Sequence, residues 1–206
     1  MDRPVQNCAR TDALIEQSTA VILAGGEAKR MGGQMKSGLL WQGETFLTVL
    51  YRELSPFPRR FVSVDRKERF DPSLETAEDL YPGCGPLGAM ATGLAQARTP
   101  LVFFTACDTP LLTMRLVRFL YGCWRDGLDA CIAKTGDGRS HPLCGIYRKS
   151  LEPAARACLE GGERRVMRFL SGCAVCEATV PLALEGQLFN VNTPQAYEAL
   201  RRTPSQ

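Results

Sequence analysis

No apolar run in these 206 residues approaches the ~20 needed to cross a bilayer, so the sequence predicts no membrane-spanning helix. Histidine is almost absent: His141 is the single one, and although Ser140 and Cys144 stand close in sequence, nothing in the pattern suggests a Ser or Cys partner for covalent catalysis. Charge of either sign is not in large excess; a net charge of +3 suits small anions but is too weak for the footprint of a nucleic-acid binder. Internal repeats and low-complexity tracts are lacking, and 45% apolar with 23% charged residues is ordinary globular composition. Two phosphate signatures are missing as well. The one glycine-rich loop closes with no Gly-Lys-Ser/Thr, and it does not follow the G-x-G-x-x-G spacing of a dinucleotide fold.

Cysteine is the exception, with nine residues. Their odd number and their spread through apparent helices and strands read as small buried hydrophobes rather than a disulfide framework. So many thiols predict a reducing, cytoplasmic location. Cys173 and Cys176 form one C-x-x-C, but a closed zinc site needs four ligands and no second pair matches it.

The loop itself is the most informative stretch. The apolar run Val21–Leu23 empties into Ala24-Gly25-Gly26-Glu27-Ala28-Lys29-Arg30-Met31-Gly32-Gly33-Gln34-Met35-Lys36. Glycines let backbone N–H groups crowd an anion, and fixed cations neutralise it. This predicts a phosphate-handling loop in which Lys36, and less strongly Arg30, make the contacts.

Beyond that loop, periodicity predicts strands at 19–23, 61–64, 100–105, 130–134, 143–147 and 174–178. Helices are expected from Thr45 to Leu54, from Pro86 to about Ala97, near 113–125, on both sides of Gly161-Gly162, and after Thr193. Strands alternating with amphipathic helices specify an α/β domain with a mainly parallel sheet. Residues 1–18 read as a flexible leader without a secretory h-region, and 19–206 as a single domain.

In such sheets ligands bind beyond the carboxyl ends of strands, which puts the loop and Asp108 on one rim. Asp108 leaves a buried strand beside the phosphate loop, where a carboxylate suits Mg²⁺ in phosphate chemistry. The stretch 78–88, Glu-Asp-Leu-Tyr-Pro-Gly-Cys-Gly-Pro-Leu-Gly, feeds a helix N-terminus and reads as a pocket wall, with Asp79 placed for sugar or base contacts. The stretch 162–167, Gly-Glu-Arg-Arg-Val-Met, admits two readings: a solvated helix start, or two arginines gripping a phosphate.

Together these segments resemble the molybdenum cofactor guanylyltransferase family, from about Thr19 to Arg201. The resemblance rests on Leu-Ala-Gly-Gly-x-x-x-Arg-Met-Gly-Gly at 23–33, Lys36, Glu78-Asp79 with Gly85-Pro86-Leu87, and Cys107-Asp108-Thr109-Pro110. It continues through His141-Pro142, Gly162–Met167 and Phe189-Asn190-Val191-Asn192-Thr193-Pro194. The first loop and the Cys-Asp-x-Pro turn mark the chemistry class, and the last two segments mark the branch that acts on molybdopterin.

The resemblance implies a three-layer, Rossmann-like nucleotidyltransferase fold that joins GMP from GTP to molybdopterin. It implies GTP contacts from Leu23, Ala24, Gly25, Lys36, Ser63, Asp79 and Asp108, with Lys36 and Asp108 catalytic and Mg²⁺ on Asp108. Arg164, Arg165, His141, Asn190 and Asn192 would then face molybdopterin. Molybdenum-insertion proteins and molybdoenzyme chaperones are the implied partner proteins. Gly25-Gly26 leans toward guanine, since the cytidylyl relatives tend to carry Leu-Ala-Ala-Gly; cytidylyl transfer to molybdopterin, or another NTP-dependent nucleotidyl transfer, is the alternative. Met35 departs from the family, in which an acidic residue or Asn commonly precedes the lysine.

Overall fold

The structure, a computed structural model, describes residues 3–24, 39–65 and 71–202, with side chains from residue 8 onward. Strand β1 (Ser18–Leu23) is buried along its whole length, as a strand covered on both faces must be. Around it lie β4 (Arg59–Val64), β5 (Thr76–Glu78), β6 (Leu101–Ala106), β7 (Ala130–Lys134), β8 (Ser140–Arg148) and β9 (Val175–Thr179), in the order β5-β4-β1-β6-β8-β7-β9. Every pairing is parallel except the two made by β8, which runs antiparallel between β6 and β7. A small antiparallel ribbon, β2 (Leu40–Trp41) and β3 (Glu44–Thr45), stands apart.

Alternate side chains divide the core into two layers. Ala20 and Ile22 of β1, Phe103 of β6 and Cys131 of β7 pack with α2 (Phe46–Glu53) and α4 (Met114–Cys123). Val21, Phe104 and Ile132 pack on the other face with α3 (Gly85–Gln96), α5 (Glu152–Glu160) and α6 (Val166–Leu170). After a short α7 (Leu182–Glu185), α8 (Pro194–Arg201) closes a third cluster of Leu39, Phe46, Val191 and Leu200. Thr45, Thr113 and Thr193 each cap a helix by accepting a backbone N–H through the side-chain oxygen.

Within the stretch expected to be a flexible leader, residues 3–18 carry regular structure. They contain helix α1 (Arg3–Glu16), which lies along α4. Its Ile15 is buried, Ser18 is the first residue of β1, and Asp12 pairs with Arg118. An amphipathic helix of mixed charge shows no long apolar run, so its buried face leaves little signal in the sequence. Strand β5 and the ribbon are likewise not legible in the sequence, because two or three residues give no readable period.

The C-x-x-C pair is divided by the sheet. Cys176, on β9, packs in the layer of α4, whereas Cys173, in the bend before β9, packs in the layer of α5. All nine cysteines are free thiols, and among the described residues no cluster of three or more ligands could hold a metal.

The antiparallel strand is closely fitted at Gly145. A Cβ there would sit 2.7 Å from the Cys131 carbonyl oxygen and 2.9 Å from Ile132 Cγ2. Backbone cannot yield as a side chain can. Gly145→Ala is therefore expected to cost about 1–3 kcal/mol of stability, read as a lower urea midpoint at unchanged m-value. An unchanged midpoint would refute the close fit.

Candidate active site

Four backbone hydrogen bonds assemble one rim. Ala24 N–H donates to the Ser63 carbonyl at 2.9 Å, and Cys107 N–H to the Leu23 carbonyl at 3.1 Å. Asp79 N–H donates to the Val64 carbonyl at 2.8 Å, and Val191 N–H to the Asp108 carbonyl at 2.8 Å. Leu23, Ala24, Ser63, Asp79, Asp108 and Asn190 thus come from distant parts of the chain to the carboxyl ends of β1, β4, β5 and β6. His141 joins them because β8 is reversed: its first residue, Ser140, pairs with Lys134 at the end of β7. Gly25 and Lys36 lie outside the described residues.

Among the described residues, the buried atoms Ser63 Oγ, His141 Nε2 and Asn190 Oδ1 of these segments have no hydrogen-bond partner. An unsatisfied buried polar atom costs about 1–3 kcal/mol, so native proteins keep few of them. Among the described residues, these three belong to segments that meet at one rim. Burial, reinforced by Arg139, pulls the His141 pKa down against the opposing fields of Asp137 and Glu185, so near neutral pH its imidazole is uncharged.

The Asp108 turn is held by its neighbours. Thr109 Oγ1 donates to the Ala106 carbonyl at 2.8 Å and lies 3.1 Å from the buried Thr105 hydroxyl. Asp79 is half-buried, and desolvation pushes its pKa up, the hydrogen bond from Thr92 opposing the shift and the field of Asp65 adding to it. Thr92 itself, fully buried in α3, was not visible in the sequence: it stands 13 residues from Asp79, a separation with no local meaning.

The two arginines part company. Arg165 is forked onto Glu163, with Nε–Oε1 at 2.9 Å and Nη2–Oε2 at 2.8 Å, and this contact holds the glutamate's pKa at about 2. Arg164 Nη1 instead donates to the Gly83 carbonyl at 3.2 Å, on the loop that leads from Asp79 into α3. Gly83 and Gly85 shape that loop with φ of +74° and +67°, values that side chains beyond glycine rarely accept. Asn192 is exposed, next to the α8 cap.

An oxygen-rich rim with a strand-end carboxylate, an adjoining helix N-terminus and orphaned polar atoms is suited to binding a phosphorylated ligand. Residues 20–175 match the family model described as a MobA-like NTP transferase domain. A molybdenum cofactor guanylyltransferase of Vibrio cholerae is 31% identical over 180 residues, 85% of this chain and 87% of that protein. The enzyme of the same name from Serratia proteamaculans is 34% identical over 186 residues, covering 86% and 91%. Among solved structures, molybdopterin-guanine dinucleotide biosynthesis protein A of Archaeoglobus fulgidus shares the fold with a TM-score of 0.76, at 20% identity over 89% of this chain and 96% of that one. On these grounds the chain belongs to the family of MobA-like NTP transferase domains, and it is a nucleotidyltransferase.

Proposed function

We propose that this protein transfers GMP from GTP to the terminal phosphate of molybdopterin, forming the guanine dinucleotide and releasing pyrophosphate. The observation that carries this is the similarity to molybdenum cofactor guanylyltransferases over most of both chains. In the reaction an oxygen of the molybdopterin phosphate attacks the α-phosphorus of GTP in line. A new P–O bond forms as the bond to pyrophosphate breaks. No enzyme nucleophile is needed; catalysis of this type works by positioning and charge neutralisation.

The roles follow the rim. Leu23, Ala24 and Gly25 offer backbone to the nucleotide, and Lys36 neutralises charge developing on the phosphates. Ser63 and Asp79 meet the nucleoside. Asp108 and the neighbouring Asn190 amide oxygen are hard oxygen donors on hydrogen-bonded segments, a donor set that fits Mg²⁺. Asp108 would hold the ion, which when bound adds positive charge beside the phosphate oxygens. His141, Asn190, Asn192, Arg164 and Arg165 face the acceptor. The nine free thiols support a reducing, cytoplasmic setting, and the proteins that insert molybdenum or chaperone molybdoenzymes are the expected partners.

Incubation with molybdopterin, GTP and Mg²⁺ tests the reading by mass detection of the dinucleotide, with CTP in a parallel reaction. Product from GTP is expected. Product from CTP alone, or none from either, would overturn the assignment.

The acceptor side has its own test. Arg164→Ala with Arg165→Ala is expected to raise the KM for molybdopterin by at least about tenfold, the scale of a lost charge-assisted contact. GTP binding measured alone should fall far less, through the single bond to Gly83. Equal losses for both ligands would mean that the pair braces the loops instead.

A further inference from the structure

We infer that Thr92 is a positioning residue for nucleotide selection: from inside α3 its hydroxyl holds one oxygen of Asp79 and so presents the other to the nucleoside. This rests on the reading of Asp79 as a GTP contact. Thr92 Oγ1 lies 2.6 Å from Asp79 Oδ1, accepts the Leu80 N–H at 2.9 Å, and lies 3.0 Å from the Gly88 carbonyl one helical turn back. Threonine in a helix usually returns its proton to that i−4 carbonyl. A hydroxyl has one proton, and here the shorter, charge-assisted contact to the carboxylate takes it. Asp79 Oδ1 receives a second, weaker bond from Tyr81 N–H at 3.3 Å. Both contacts fall on Oδ1. Among the described residues no protein group bonds Oδ2, which is left for an N–H or O–H donor of a base or sugar.

The arrangement also ties the loop after β5 to α3. Leu80 N–H and Asp79 belong to the loop after β5, and Thr92 and Gly88 belong to α3. Gly88 is itself pressed against that loop, where a Cβ would come within 2.8 Å of the Tyr81 carbonyl oxygen. Thr92 is fully buried, so water cannot replace its hydroxyl. Removing the hydroxyl while keeping the volume would leave Asp79 its place in the chain but free the carboxylate to rotate.

The test compares Thr92→Val, Thr92→Ser and Asp79→Asn for GTP KM, kcat and melting temperature. Thr92→Val is expected to raise the KM for GTP about tenfold with kcat within about twofold, as for a lost hydrogen bond to a charged group. Thr92→Ser, which keeps the hydroxyl, should restore the KM. Should the valine variant fold poorly, Thr92→Ala gives the same reading. A valine variant with normal KM, while Asp79→Asn raises it, would overturn the role of Thr92. So would a lowered melting temperature with no KM change, or a serine variant as impaired as valine. Asp79→Asn with an unchanged KM would instead overturn the reading of Asp79 itself.

Discussion

Asp108→Asn is expected to lower kcat by at least about a hundredfold and to leave the melting temperature nearly unchanged. The backbone explains the second half of that expectation. The Asp108 carbonyl is held by Val191 N–H, and the turn is fixed by Thr109 and Thr105, none of which needs the charge of the side chain. An amide also preserves the volume. The first half follows from charge. A carboxylate at a strand end can bind a divalent cation beside phosphate oxygens, whereas a neutral amide is a much poorer ligand. Steady-state turnover across a Mg²⁺ titration, with a thermal melt of the same preparation, checks both. Normal activity at ordinary Mg²⁺ would withdraw Asp108 from the metal. Lost activity with a collapsed melting temperature would make the residue structural.

Lys36→Ala is expected to cost roughly 2–4 kcal/mol of transition-state stabilisation, about 30- to 1,000-fold in kcat/KM for GTP. The effect is electrostatic: charge on the departing pyrophosphate grows as its bond breaks, and an ammonium at the end of a glycine-rich loop neutralises it. Loss confined to KM would mean that the lysine binds ground and transition states alike. An unchanged kcat/KM would make it a solvated surface lysine. Lys36→Arg separates charge from shape, since a guanidinium keeps the charge but not the compact fit.

Much of the site was legible because its parts carry local signals. Leu23 ends a buried strand with Ala24 just beyond it, Asp108 stands two residues past the end of another, and Pro86 at the start of α3 announces the helix that follows the Gly83–Gly85 loop. Thr45, Thr113 and Thr193 mark helix starts by side-chain chemistry that acts within three residues. Such features depend on neighbours along the chain, so a sequence displays them. The Arg164–Arg165 pair shows the opposite case. Adjacent cations look alike in sequence, yet one is forked onto Glu163 and the other reaches Gly83, because successive residues entering a helix point in different directions.

By itself, then, the sequence determined the alternation of strands and helices, the glycine-rich loop, and the family to which these motifs point. Hydrophobic period and backbone propensity act over a few residues, and that is enough to define each element. Only the tertiary structure decided that β8 runs backwards and so carries His141 to the rim, that α1 is a packed helix rather than a leader, and that the C-x-x-C faces opposite layers. It alone brought Thr92 to Asp79 and Val191 to Asp108. These contacts join residues 13 and 83 positions apart. They form because burying two faces of one sheet leaves few ways to order its strands, and no local pattern records which of those ways the chain takes.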